Sequence, residues 1–439
     1  MWWLSALASA HIPVIVNTGP DQDWCGAFES ALQGDLLLLD PGDYTGPCTL
    51  VGKPPDPAYP TEYSVFAARL SEDRPRFHWD GISSAILTVE GEQTQVAWLE
   101  FPDVPKGVTA VEIHDSRALW LLDNGFRSVA GTAIATVGAP IRDLRVSEIE
   151  VVGGGGTGLS IEGSGFLLED ILVNGLQLGV RVVGEGAVAE VVSDTGIGLD
   201  LAGSPLTVKQ SAIRGQVIVR DAVTLESNVV IGQLTTEGGG ARLYGNTFYE
   251  PKLPPLVLTA WTAASVLQDN ALSGPIPEVA GASGNVACPD AEACWRDPSG
   301  FDLYPVAGGP LTTGTVPPDE GVLYADWCGF ARQDPITAGA FEALGAPIAP
   351  IDFDTSKSYA SCAAVAEVDS AGPADTGEAP DTGNGPATPP GSEPGRSGCG
   401  CATAWRPGWP ALPGGLVAAA VLGNRRARRG TRWGAQRGV

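Results

Sequence analysis

Leu225-Glu-Ser-Asn228-Val-Val230, Leu243-Tyr-Gly-Asn246-Thr-Phe248 and Leu267-Gln-Asp-Asn270-Ala-Leu272 repeat one phrase: apolar, two variable residues, polar, one variable, apolar. Upstream the same phrase recurs at Leu121…Asn124…Phe126, Leu144…Ser147…Ile149, Phe166…Glu169…Ile171, Ala187…Glu190…Val192 and Val208…Ser211…Ile213. The polar positions 124, 147, 169, 190, 211, 228, 246 and 270 are spaced by 23, 22, 21, 21, 17, 18 and 24 residues. Eight units of about this length, rich in Val, Ile and Gly and without helical periodicity, predict a β-solenoid in which each unit is one turn. The recurring Asn and Ser should then stack at the corner after a strand, bonding backbone groups of neighbouring turns. A leucine-rich repeat shares the period, but its leucine spacing and crossover helix are missing.

Composition agrees with the phrase. The chain has 439 residues, 44% hydrophobic and 18% charged, with 58 Gly and 36 Pro, as a folded body of short strands and many tight turns requires. Before the repeats, Cys25-Gly-Ala-Phe-Glu-Ser-Ala-Leu-Gln33 suits a short amphipathic helix with Phe28, Ala31 and Leu32 on one face. Gly34-Asp-Leu-Leu-Leu-Leu-Asp-Pro-Gly-Asp-Tyr-Thr-Gly46 follows it.

Together these two segments resemble the opening of pectate-lyase-like right-handed parallel β-helix proteins, in which a small helix covers the first coil. Phe301-Asp-Leu, Gly309-Pro-Leu-Thr-Thr-Gly314, Asp326-Trp-Cys-Gly-Phe-Ala-Arg332 and Gly339-Ala-Phe-Glu342 are similar to that family's closing phrases. The resemblance implies an all-β, single-stranded right-handed parallel β-helix with an N-terminal capping helix, one coil running from about Ile12 to Leu344. The family spans lyases, hydrolases, adhesins and structural proteins, so it implies a fold before a function.

Net charge is −25, and seven of the 26 basic groups lie in the last 41 residues, which hold no carboxylate; the other 19 face all 51 acidic groups. Such a body repels phosphate backbones, which excludes nucleic acid, and repels polyuronates unless a cation bridges the two. Met1-Trp-Trp-Leu-Ser-Ala-Leu-Ala-Ser-Ala10 ends in a small-x-small pattern and reads as a signal peptide over 1–10. Six cysteines fall in the body, where export favours the pairs Cys25–Cys48, Cys288–Cys294 and Cys328–Cys362; spacing alone leaves connectivity open, and metal binding is the weaker alternative.

The body, 11–368 with its end caps, gives way to a Pro, Gly, Thr and acid-rich linker over 369–398, too poor in apolar surface to fold. A tail over 399–439 follows: Gly398-Cys-Gly-Cys401, an apolar run best developed over Ala411 to Leu422, and arginines from Arg425. This order resembles the myxobacterial-type C-terminal sorting signal (MYXO-CTERM). The resemblance implies an envelope sorting machinery as partner, Cys399 or Cys401 as anchor, membrane contact through the tail alone, and display at the outer cell surface. Arginines inside and an apolar run in the bilayer are physically consistent with it, although a stable span needs about 20 apolar residues.

Catalytic candidates are sparse. Lys209, Arg214 and Arg220 form the one basic cluster in the repeats, and Glu148 and Asp170 fall on adjacent turns, where two carboxylates about 5 Å apart suit Ca²⁺ or stand as solvated like charges. Arg145 and Lys209 share a repeat position three turns apart, too far to serve one sugar ring, and Arg127 beside Glu150 suits a surface ion pair. There is no Gly-x-Ser-x-Gly, His-Glu-x-x-His or phosphate loop, and the body has three histidines, His11, His78 and His114. The expectation is a non-enzymatic, surface-displayed β-helix that binds extracellular glycan or serves an adhesive or structural role. A polysaccharide lyase or glycosidase is the alternative.

Overall fold

The computed structural model describes residues 14–54, 63–138, 141–312, 325–328, 332, 336–341 and 350–354. The signal peptide, the linker, the tail with Cys399 and Cys401, and Cys362 lie outside these residues. Among the described residues, 28 strands form one continuous sheet, and every pairing in it is parallel. The chain coils right-handedly through three faces per turn, called A, B and C in the order it meets them. Face A carries Ile15–Thr18, Leu36–Leu39, Ser64–Ala68, Thr94–Ala97, Trp120–Leu122 and, later, Leu206–Lys209 to Ala282–Ser283. Face B runs from Asp43–Thr45 through Gly125–Arg127 to Val286–Ala287, and face C from Cys48–Gly52 through Thr109–Arg117 to Leu256–Leu258. In mid-coil the strand Thr157–Ala202 rounds several corners without a break.

Alternation decides which side chains enter the core. Inward positions stack like on like along the axis: Tyr44 on Phe77 at 5.2 Å, Phe77 on Phe101 at 5.6 Å, and Phe101 on Phe126 at 4.9 Å between ring centroids. The corner between A and B is built by one residue in the left-handed region on turn after turn: Trp98, Asp123, Glu148, Asp170, Glu190, Gln210, Ser227, Gly245 and Asp269, with φ between 50° and 61°. That residue swings the next one inward, and there the recurring phrase reveals its purpose. The backbone N–H of Ser211 donates to Asn228 Oδ1, that of Asn228 to Asn246, that of Asn246 to Asn270 and that of Asn270 to Asn285, at 2.8–3.0 Å. Each Asn Nδ2 donates in turn to a carbonyl of the preceding strand: Val208, Leu225, Leu243 and Leu267. Buried amides thereby replace the water that the corner backbone groups have lost.

The expected register holds from Ser211 to Asn270 and between Ser147 and Glu169, and fails at two other steps upstream. Leu122 pairs with Ser147 and Gly125 with Glu150, which sets Asn124 opposite Ile149 instead of Ser147. Ala189 pairs with Lys209 and Val192 with Ala212, so Ser211 faces Val191, and Glu190 is the corner residue. The first mismatch is of two residues, which keeps every side chain on its own face, so the hydrophobic pattern cannot detect it; the second is of one residue. Asn285, one turn beyond Asn270, extends the ladder past the last position recognised in the sequence.

At the N-terminal end α1, Trp24–Ser30, lies over the open coil. Asp23 caps it by accepting from the Gly26 N–H at 2.9 Å, and Trp24 and Phe28 pack on Phe66 and Phe77. Cys25 and Cys48 are bonded, with Cα atoms 5.8 Å apart, tying the cap to face C. The helix is shorter than expected. Ala31 turns extended, and Leu32, predicted on the apolar face, is 59% exposed.

The far end departs more from expectation. The coil stops at Ala287, not near Leu344. From Cys288, bonded to Cys294, the chain returns along the outside of face B. This return segment includes α2 (Ala291–Cys294) and the antiparallel pair Trp295–Asp297 and Asp302–Pro305. Trp295, Leu303, Trp327, Phe341 and Phe353 cover Leu172, Val192, Ala212, Val229 and Ala271, which point outward from face B. Polar contacts pin the cover: the Ser227 hydroxyl donates to the Ala325 carbonyl and Gln210 Nε2 to the Asp326 carbonyl, while the Gly339 N–H donates to the Asp269 carbonyl. Cys328 is also disulfide-bonded. No helix among the described residues is long and apolar enough to cross a membrane.

Candidate functional site

The site is built where face B turns into face C. There the loops 103–108, 128–131 and 153–156 leave a groove of about 540 Å³, lined by Lys106, Thr109, Thr132, Thr157, Gln177 and backbone of the glycine-rich turns. Glycine is needed in this floor. A Cβ on Gly131 would meet the Val108 carbonyl oxygen at 2.0 Å, and one on Gly154, at φ +89°, would meet the Val129 backbone at 2.2 Å. Thr109 pairs with Thr132 and Thr132 with Thr157, so three hydroxyls line the groove at one per turn. Lys106 and these threonines make no side-chain hydrogen bond or ion pair with the described residues.

Beyond the groove, face C carries Glu112 and His114, with His114 Nε2 3.1 Å from Glu112 Oε2; Glu90 pairs with His114 in register from the turn before. His114 lies five residues along the strand from Thr109, roughly 16 Å away at about 3.3 Å per residue. The groove and this pair are therefore separate, and only a ligand running along face C, across the coil axis, would span both. Neither was singled out in the sequence. The signals available were the run Gly153-Gly-Gly-Gly156 and the pair Glu112-Ile-His114, whose alternate residues share a strand face.

The basic candidates from the sequence do not converge. Lys209 lies on face A, in register with Ala189 and Glu226. Arg214 is on face B, held by Asp194 through Nε at 2.7 Å and covered by the rings of Phe301 and Phe353 at 5.4 and 5.3 Å. Arg220 follows face C and bridges Asp200, at 2.8 Å, and Glu237; the hydrogen bond it donates to Asp200 is the largest influence raising its pKa above the ordinary guanidinium value. Arg127 holds Glu150 at 2.5 and 2.8 Å and Glu100 at 3.1 Å, the ion pair expected for it. Arg145 pairs in register with Trp120 and Leu167 and lies 4.9 Å over the Trp120 ring.

Glu148 and Asp170 do occupy adjacent corners, since Ser147 pairs with Glu169 and Ile149 with Ile171. Asp123, on the corner before them, is held by Arg74 at 2.6 Å. Among the described residues no group of three or more His, Cys, Asp or Glu side chains gathers to hold a metal.

No known protein family matches the chain, and no curated protein matches it. Among solved structures it is similar to pectate lyase Pel9A, at 15% identity over 76% of this chain and 98% of that one, with a TM-score of 0.47. An alginate lyase from Paenibacillus sp. str. FPU-7 matches at 11% identity over 57% of this chain and 98% of that one, TM-score 0.36. A rhamnogalacturonan lyase matches at 12% over 62% and 84%, TM-score 0.37. Likeness this distant concerns the coil and says nothing of chemistry.

Proposed function

We propose that the protein is an exported β-helix, displayed at the cell surface, that binds an extracellular polysaccharide in the corner groove without cleaving it. One observation carries the reading: the groove's polar side chains are uncommitted, whereas the arginines that would serve a lyase are spent on neighbouring carboxylates. Binding needs hydroxyl, amide and backbone groups free to exchange water for sugar. Abstraction of a proton beside a uronate needs a base within hydrogen-bond reach of it. Export is supported by the disulfides. Anchoring through Cys399 or Cys401 by an envelope sorting machinery completes the proposal, and replacing both cysteines by serine should release the protein into the medium or leave its tail unprocessed.

The decisive experiment incubates the protein with pectate, alginate and glycosaminoglycan, and separately with neutral glycans. Retention on a glycan with no new unsaturated or reducing ends is the expected result. New ends would establish the alternative, a lyase or glycosidase, which the Glu112–His114 pair favours. Loss of those ends in His114→Ala would then assign the pair.

A further inference from the structure

We propose that the groove takes a neutral, unbranched glycan laid along the coil axis, one sugar hydroxyl meeting each of Thr109, Thr132 and Thr157. The proposal rests on the glycan-binding reading and names the class and direction of the ligand. Strand register fixes the direction, because the three threonines pair in sequence from turn to turn and parallel rungs repeat about every 4.8 Å. A β-branched side chain on a strand has few rotamers, so the hydroxyls are held in place before the ligand arrives. None of them hydrogen-bonds to the described protein, which leaves each free to donate and accept.

Charge fixes the class. No carboxylate lines the groove, and Lys106 is its one cation. Along face C, however, the strand that begins at Thr109 carries Glu112, with Glu90 in the turn before and Glu162 further along the coil. The whole chain bears a net charge of −25. These carboxylates lie three to five residues across the strands from the threonine column, roughly 10–16 Å to its side, so a polyanion laid along the axis would run beside a row of like charge that one ammonium cannot offset; a neutral chain meets no such penalty.

The test is calorimetry on the full chain with neutral β-glucan and mannan oligosaccharides of increasing length, against polygalacturonate and alginate oligomers, at low and high salt. Neutral oligomers should bind more tightly as they lengthen to three sugars, with little effect of salt. Thr132→Val, which suits a strand, should weaken binding about fivefold, and the triple valine variant should abolish it. Binding confined to uronates, lost in high salt and in Lys106→Ala, would overturn the neutral class but leave the glycan reading standing. Undiminished neutral binding by the triple variant would overturn the threonine ladder alone. Failure to bind any glycan would overturn the glycan reading itself.

Discussion

Asn246 shows how much a single side chain supports. Its Oδ1 accepts the Asn228 N–H at 2.9 Å and its Nδ2 donates to the Leu225 carbonyl at 3.0 Å, with no exposure to solvent. Asn246→Ala strands both backbone groups in the core and should cost about 3 kcal/mol; denaturant unfolding would measure it, and a loss below about 0.5 kcal/mol would refute the ladder's role. This residue was legible because the phrase around it is complete. Asn285 was not, because Ala282, Ser283 and Gly284 are too small to mark its strand as apolar. Tyr44 offers a pH test. Burial, and then the charge of Asp40, push its phenol up from 10.0 to about 12, and its hydroxyl donates to the Asp40 carbonyl at 2.7 Å. A folded value above the unfolded one means this stability is whole below pH 10 and drains away as pH climbs toward 12. Thermal melts should fall across that window in the native chain and fall less in Tyr44→Phe.

Among the elements, α1 and the return segment do opposite things with apolar surface. The cap plugs an open core, and the Cys25–Cys48 bond holds it there. Opening that bond with a Cys25→Ser, Cys48→Ser pair should lower stability by about 3 kcal/mol, read as an earlier loss of near-ultraviolet signal from Trp24. An unchanged transition would mean that packing alone seats the helix. The return segment covers a flank, because outward Val192, Ala212 and Val229 would otherwise expose an apolar stripe. The sequence announced the cap, whose cysteine, aromatic and glycine positions lie close together in the chain. It hid the flank cover, because contacts such as Thr247 with Ala340 span 93 residues and leave no local period. For the same reason the threonines of the groove stayed unseen. Their alignment exists only once register is known, and register is what a two-residue slip conceals.

Over the whole molecule, each turn touches its neighbours and little else, apart from the flank cover. Stability in such a coil is a nearest-neighbour sum, and unfolding enters where a turn has one neighbour instead of two. Both entrances are guarded, the first by α1 and the Cys25–Cys48 bond, the last by the Cys288–Cys294 bond and the chain that returns over face B. Limited proteolysis under native conditions should therefore release fragments from the ends inward and leave the central turns, around residues 120–220, until last. Early cuts at their corners would contradict this. Outside a cell nothing refolds a damaged chain, so what matters there is the time before failure and not the depth of the energy well. The bonded cap then acts as a clock: a protease working on this protein waits for an end to fray, and the fraying rate of a few terminal residues sets the working lifetime of every turn between them.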